Sequence, residues 1–100
     1  MKIKTLLLSI IILLLCSCAT QGLYYWGKYS HTLYEYKKNF TDESLEKHIE
    51  ELHKIIKISA RKKMRVPPGV YAELGYYYSL RGNNEESTKY FELEKITYPE

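Results

Sequence analysis

The segment Tyr71-Ala72-Glu73-Leu74-Gly75-Tyr76-Tyr77-Tyr78, continued by Ser87-Thr88-Lys89-Tyr90-Phe91 and closed by Pro99, decides how the rest of the chain is read. Tyr71, Leu74 and Tyr78 recur at steps of three and four, which lays one apolar stripe along a helix. Gly82 supplies a C-terminal stop, because glycine enters the left-handed conformation at little cost. Asn83, with Glu86 three residues on, is a capping-box-like start for another helix. These signals predict two helices joined by a tight turn. Gly75 and Ser87 are small enough to let antiparallel helices approach, and Leu74, Tyr78 and Phe91 have the bulk to fill the seam.

The same positions resemble the tetratricopeptide repeat, a helical hairpin of about 34 residues with the pattern W-x2-L-G-x2-Y, then A-x3-F, then P. Tyr71, Leu74, Gly75, Tyr78, Ser87, Phe91 and Pro99 fall in its register, Tyr71 replacing the tryptophan and Ser87 keeping a small residue. The resemblance implies that these residues form the hairpin's core. Arrays of such hairpins need about three units to bury a continuous core, and only one is clear. Residues 28–64 are expected to form a divergent first hairpin stacked on it. Tyr98-Pro99-Glu100 stands where another helix usually follows, so the last hairpin is expected to leave an apolar face for a partner.

Upstream, Tyr29, Leu33, Tyr36 and Phe40 predict one helix by the same spacing. Thr41 or Asp42 is placed to cap the next, with Glu43 in the first turn, where the helix dipole favours an acid. Leu45, Ile49, Leu52, Ile56 and Ser59/Ala60 continue an apolar stripe. Arg61-Lys62-Lys63 close it with positive charge at the end where the dipole favours it. Val66-Pro67-Pro68-Gly69 breaks the chain, and Pro68 is expected in the first turn of the third helix. No strand-like alternation competes. The expected fold is all-α: a small antiparallel bundle of about four helices over residues 24–100.

The first twenty residues read differently. Met1-Lys2-Ile3-Lys4 is basic, and Leu6 to Leu15 is an almost unbroken aliphatic run. A basic head, an apolar stretch of about 7–15 residues and a small-residue cleavage site make a secretory signal. A membrane span would need about 20 apolar residues. Leu15-Cys16-Ser17-Cys18 resembles the bacterial lipobox, with an aliphatic residue three before an obligatory cysteine and a small residue directly before it. A thiol is required there because its sulfur takes the diacylglyceryl group as a thioether. A cleaved signal without lipid, or an uncleaved anchor, would explain the apolar run but not the cysteine. The resemblance implies a signal peptide over residues 1–17, lipid (diacylglyceryl and an acyl chain such as palmitate) on Cys18, and a tether over residues 18–23. One acyl chain holds a protein only marginally, whereas two hold it durably. In an organism with two membranes, Ala19 in place of an aspartate implies sorting to the outer membrane with the domain facing the periplasm. Cys16 leaves with the signal and Cys18 is consumed by lipid, so no disulfide remains.

Charge follows the same division. The chain has 15 Lys and Arg against 12 Asp and Glu. Removing residues 1–17 takes Lys2 and Lys4 and no acid, so the formal balance falls from +3 to +1. A nucleic-acid binder would keep a basic face, and none is expected as a partner. Nor is an enzyme expected: the chain lacks a Gly-x-Ser-x-Gly elbow, a phosphate loop and a His-Glu-x-x-His zinc motif. Glu50-x-x-His53 has the spacing of half a di-iron site, which needs a second Glu-x-x-His and two further glutamates from facing helices, and the chain has no second copy. His48 and His53 are about 140° apart round a helix, too far to share a metal. His31 has no partner nearby in sequence. No catalytic, metal or cofactor site and no small-molecule substrate are expected.

Behind the lipobox, four blocks are similar to the small bacterial lipoproteins grouped as domain of unknown function 4810. They are Leu23-Tyr24-Tyr25-Trp26-Gly27-x-Tyr29, Leu33-Tyr34-x-Tyr36, Pro67-Pro68-Gly69-x-Tyr71-Ala72-x-Leu74-Gly75 and Tyr98-Pro99-Glu100. Members are typically encoded beside a lipoprotein resembling the curli-secretion pore component. The resemblance implies a place in an envelope assembly, with a pore-forming lipoprotein as the candidate partner, and leaves activity unassigned.

The eleven tyrosines divide by position. Tyr24, Tyr25 and Trp26 lie close to the lipid, where amphipathic rings suit a membrane interface or anchor a protein contact. Tyr71 and Tyr78 belong to the core, and one of Tyr76 and Tyr77 must point outward. The candidate interaction residues are therefore Tyr24, Tyr25, Trp26, Tyr76 and Tyr77, while Arg61 to Arg65 read as a solvated helix end, with contact to lipid phosphates the alternative. Two functions compete: a membrane-tethered protein-interaction module, and a binder of peptide or cell-wall glycan. The second needs a concave pocket of about 300 Å³ or more, for which four short helices offer little room.

Overall fold

The computed structural model describes residues 2–18 and 22–99, leaving aside the side chains of residues 11–18. Its regular structure, among the described residues, is entirely helical: α1 (Lys2–Cys18), α2 (Tyr29–Lys38), α3 (Asp42–Arg61), α4 (Val70–Leu80) and α5 (Asn84–Thr97). The four helices expected after the signal are all present. α1 covers the aliphatic run and packs against none of the other helices among the described residues. No described helix is long and apolar enough to cross a membrane. The Cys18 side chain and residues 19–21, on which the lipid and most of the tether were placed, lie outside the described part.

α2 and α3 form the first hairpin. Tyr29, Leu33 and Tyr36 are half-buried on one stripe, but Phe40 departs from it. The helix stops at Lys38 with the Asn39 N–H on the Glu35 carbonyl at 2.9 Å, and Phe40 lies beyond it, 77% exposed. The reason is the next cap. Thr41 must be extended (φ −122°, ψ 162°) for its hydroxyl to accept from the Ser44 N–H at 3.1 Å, while its own N–H donates to Ser44 Oγ at 3.2 Å. Two otherwise unpaired donors are thereby satisfied, and Asp42 becomes the first helical residue. On α3 the fully buried positions are His48, Leu52, Ile55 and Ser59, with Ile49 close behind. Ile55, not Ile56, continues the stripe from Leu52, and Ile56 is a half-buried flank. α3 ends in a left-handed turn at Lys63 (φ 55°), where the N–H of Lys63 reaches Ala60 O at 3.1 Å and that of Met64 reaches Ser59 O at 2.8 Å. These are the two bonds of a Schellman cap.

α4 and α5 form the second hairpin. Pro68 does not enter α4. Gly69 sits at φ 94° as its N-cap, Val70 is the first helical residue, and Pro67 is buried while Pro68 is exposed. A left-handed residue cannot lie inside the first turn, so the helix waits until the glycine is passed. The α4–α5 turn is as expected: Gly82 (φ 76°) donates to Ser79 O at 3.0 Å, Asn83 N–H reaches Tyr78 O at 2.9 Å, and Asn83 Oδ1 accepts from the Glu86 N–H at 3.2 Å. The Ser87 hydroxyl donates to the Gly75 carbonyl at 2.8 Å inside the seam. A Cβ on Gly75 would lie 2.8 Å from the Phe91 ring. Glu94, near the end of α5, accepts from the N–H groups of Gly69 and Ala72 at 3.2 Å, which fixes the antiparallel sense. The two hairpins meet over a core of Ile49, Leu52, Ile55, Val66, Val70, Leu74, Tyr77 and Tyr90.

Candidate functional site

At the junction of α2, α3 and α4 the core is polar. His48 has no exposed surface, yet its ring carries two nitrogens that burial obliges to bond. Nε2 meets Glu73 Oε1 at 2.5 Å and Nδ1 meets Thr32 Oγ1 at 2.7 Å. Glu73 also accepts from the hydroxyls of Tyr29 at 2.6 Å and Tyr77 at 3.1 Å. Burial pushes the Glu73 pKa up, but the bonds from His48, Tyr29 and Tyr77 outweigh it and hold the carboxyl below its ordinary value. The two phenols move the opposite way, first through burial and then through the Glu73 carboxylate. An ionised carboxylate only accepts, so Nε2 carries the hydrogen it gives to Glu73. Glu73 Oε1 takes two of these bonds and Oε2 one, and the cluster joins three helices. Among the described residues no three His, Cys, Asp or Glu side chains gather as a metal would need.

This cluster supports an exposed aromatic strip. The Phe40 ring stacks on Tyr36 (centroids 4.9 Å apart, planes 19° apart), Tyr36 meets Tyr77 edge-on at 6.3 Å, and Tyr77 touches Tyr76 at 5.7 Å. Tyr36 and Tyr77 lie inside. Phe40 and Tyr76 are 77% and 55% exposed, and Leu80, one turn beyond Tyr76, is 62% exposed. Tyr77, a candidate for the surface, is only 6% exposed and belongs to the core because its hydroxyl is held by Glu73. Tyr76 is the outward member of the pair. In the hairpin seam Leu74 is fully buried, whereas Tyr71 and Tyr78 are half-buried and stack on either side of Tyr90 (6.2 and 5.6 Å). Tyr90 supplies the bulk expected of Phe91, which covers Gly75 and stays 45% exposed. Pro99 follows α5 and is exposed.

The other aromatic group lies at the opposite end, where α3 finishes and α2 begins. Tyr24 meets Tyr98 edge-on at 6.4 Å, and the Tyr98 hydroxyl donates to Val66 O at 2.6 Å. Arg65 lies over the Tyr98 ring at 4.3 Å and donates to the Thr97 carbonyl, while Lys62 lies over Tyr25 at 5.1 Å. Tyr24 and Tyr25 are half-buried, and Trp26 remains 41% exposed against Tyr29. Of the isolated titratable residues, Glu50 is solvated, but His53 bonds Tyr78 Oη at 3.1 Å and meets the Tyr78 and Tyr90 rings edge-on. Burial is the main reason that its pKa lies below the usual histidine value.

A cleft of about 520 Å³ opens between α2 and the start of α3, lined by His31, Thr32, Glu35, Asn39, Thr41, Glu43, Ser44 and Lys47. The expected lack of room is therefore corrected, since capping at Thr41 splays the two helices there. The lining side chains are polar residues, and His31 is the one ring among them.

A family model described as domain of unknown function (DUF4810) matches residues 23–100. No curated protein matches the chain, and no solved structure does.

Proposed function

The chain belongs to the family described as domain of unknown function (DUF4810), and from that premise and the geometry above we propose that it is a lipid-anchored protein-interaction module of the cell envelope. Its anchor is Cys18, its place is the outer membrane facing the periplasm, and its task is to help assemble or hold a complex, a pore-forming lipoprotein being the candidate partner. The observation that carries this reading is the strip of Phe40, Tyr76 and Leu80, exposed at the surface and backed by the half-buried ring of Tyr36 and the buried ring of Tyr77. Rings fixed from behind lose little freedom when a partner covers them, which suits aromatic anchors for a contact. Nothing in the buried cluster calls for a substrate, because its groups satisfy one another. Crosslinked co-purification from whole membranes tests the reading. The native chain should capture a defined envelope protein, and a chain with Phe40→Ser, Tyr76→Ser and Leu80→Ser should lose it while keeping its helical circular dichroism. Equal capture by both would overturn the assignment.

The polar cleft beside Thr32 favours a second reading, a binder of peptide or glycan fragments. Saturable binding of cell-wall fragments that is lost on Glu35→Ala with Lys47→Ala would put this reading first.

A further inference from the structure

Between Glu51 and Glu73 the chain carries six bases (Lys54, Lys57, Arg61, Lys62, Lys63 and Arg65) and no acid. The fold gathers the last four at one end of the domain, all exposed. Two carboxylates at this end are already committed. Glu51 is buried and accepts from the Lys28 N–H at 3.0 Å, and Glu94 is half-buried and accepts from Gly69 and Ala72. Among the described residues, Arg61, Lys62, Lys63 and Arg65 make no ion pair. Aromatic rings interleave with the bases: Tyr25 under Lys62, Tyr98 under Arg65, Tyr24 against Tyr98, and the exposed Trp26 beside them.

Lys63 adds an independent observation. It occupies the left-handed cap of α3 at φ 55°, where glycine would sit without strain and a side-chain-bearing residue would not. The lysine at that turn is exposed. The same end is where the chain departs toward Cys18. Five residues separate Cys18 from Tyr24, and the six steps between them span at most about 20 Å when fully extended.

Resting on the lipid-anchor reading, we propose that this end of the domain docks on the anionic phospholipid surface of the membrane that holds the anchor. Arg61, Lys62, Lys63 and Arg65 engage lipid phosphates, and Trp26, Tyr24 and Tyr25 lie at headgroup level. Basic clusters next to an anchor are drawn to anionic lipid, and Trp and Tyr favour that interface. The anchor keeps the bases close to the surface, so docking needs no affinity of its own. α3, with 20 residues, then stands as a spacer of about 30 Å. It carries the Phe40–Tyr76–Leu80 strip away from the membrane.

Trp26 is the only tryptophan and sits in the docking face, so it reports the contact directly. The full chain, as purified from membranes, is placed in vesicles of phosphatidylcholine with or without phosphatidylglycerol, each containing a spin-labelled lipid that quenches tryptophan. The expected result is strong quenching only with phosphatidylglycerol, relieved by salt. Arg61→Gln, Lys62→Gln and Lys63→Gln together should lower the docked-to-free ratio about 100-fold, and Lys63→Gly alone about fivefold, at roughly one factor of five per base. Lys63→Gly relieves the backbone, so a loss of docking in that variant cannot come from misfolding. Equal quenching in both vesicles, or quenching unchanged in the variants, overturns the proposal. Mass measurement of the same sample reports the Cys18 lipid separately. A chain without lipid would refute the anchor while the phosphatidylglycerol comparison still decides whether the basic end seeks lipid.

Discussion

His48 is the residue on which the three inner helices agree, and it also shows where sequence reading stops. Leu45, His48, Leu52, Ile55 and Ser59 stand at steps of three and four, so a histidine on the buried stripe of α3 was legible. Its acceptor was not, because Glu73 lies 25 positions away on another helix. The cluster gives stability a definite pH dependence. Glu73 is held below its ordinary 4.5, so its contribution is whole above pH 4.5 and fades as the pH falls through the lower folded value. Tyr29 and Tyr77 are raised from 10.0, so theirs is whole below pH 10 and fades as the pH climbs toward the folded values. Urea midpoints should form a plateau between these limits. Glu73→Gln should shrink the acid slope and cost about 3 kcal/mol at neutral pH, because His48 loses its carboxylate. Persistence of the full acid slope in that variant would assign it elsewhere. Ser59 predicts the opposite sign. Its hydroxyl is fully buried and finds no partner among the described residues, so Ser59→Ala should stabilise by about 1 kcal/mol in the same titrations.

The helices were the most legible level, because caps and stripes are local. Thr41, Gly82 and Asn83 terminate or start helices where sequence placed them, and Gly75 with Ser87 makes the close approach. Two of the errors share one cause. Phe40 and Pro68 carry a regular pattern past a residue whose own backbone demands end it, the extended Thr41 and the left-handed Gly69, whereas Ile56 packs half-buried against the core. Tyr90 was missed because two adjacent aromatics, Tyr90 and Phe91, competed for one seam, and local spacing could not show that Phe91 would be drawn onto Gly75. That contact is testable. Alanine at position 75 gains about 1 kcal/mol in helix propensity. Its methyl, however, would lie 2.8 Å from the ring of Phe91. The half-exposed ring can swing outward, so the net cost should be about 1 kcal/mol rather than the larger penalty of a locked core clash. In a Phe91→Ala background the sign should reverse to a gain of about 1 kcal/mol. Additive effects across this double-mutant cycle, measured by urea unfolding, would show that the two residues do not meet in solution.

At the scale of the molecule the two ends of the helical domain differ in chemistry. One end has bases interleaved with tyrosines, and the other has the aromatic strip beside the Arg81–Glu46 pair. That pair is half-exposed and contributes little to stability. The difference in character between the ends therefore matters more to what each can touch than to folding. Stability has to come from the eight-residue apolar core and the His48–Glu73 cluster, and a core of this size leaves a narrow margin. None of it involves α1, which packs against no other helix among the described residues. Residues 22–100 should therefore unfold in one cooperative step with the midpoint of the full chain. Thermal scans resolve this well, since for a domain of this size 1 kcal/mol moves the midpoint by about 4–8 °C. A midpoint lowered by that much on removal of residues 1–21 would mean that the apolar N-terminal helix folds back onto the domain. It would then cover either the Phe40–Tyr76–Leu80 strip or the exposed flank of Phe91. Unchanged unfolding would leave both surfaces free for other molecules, which is the condition an anchored interaction module requires.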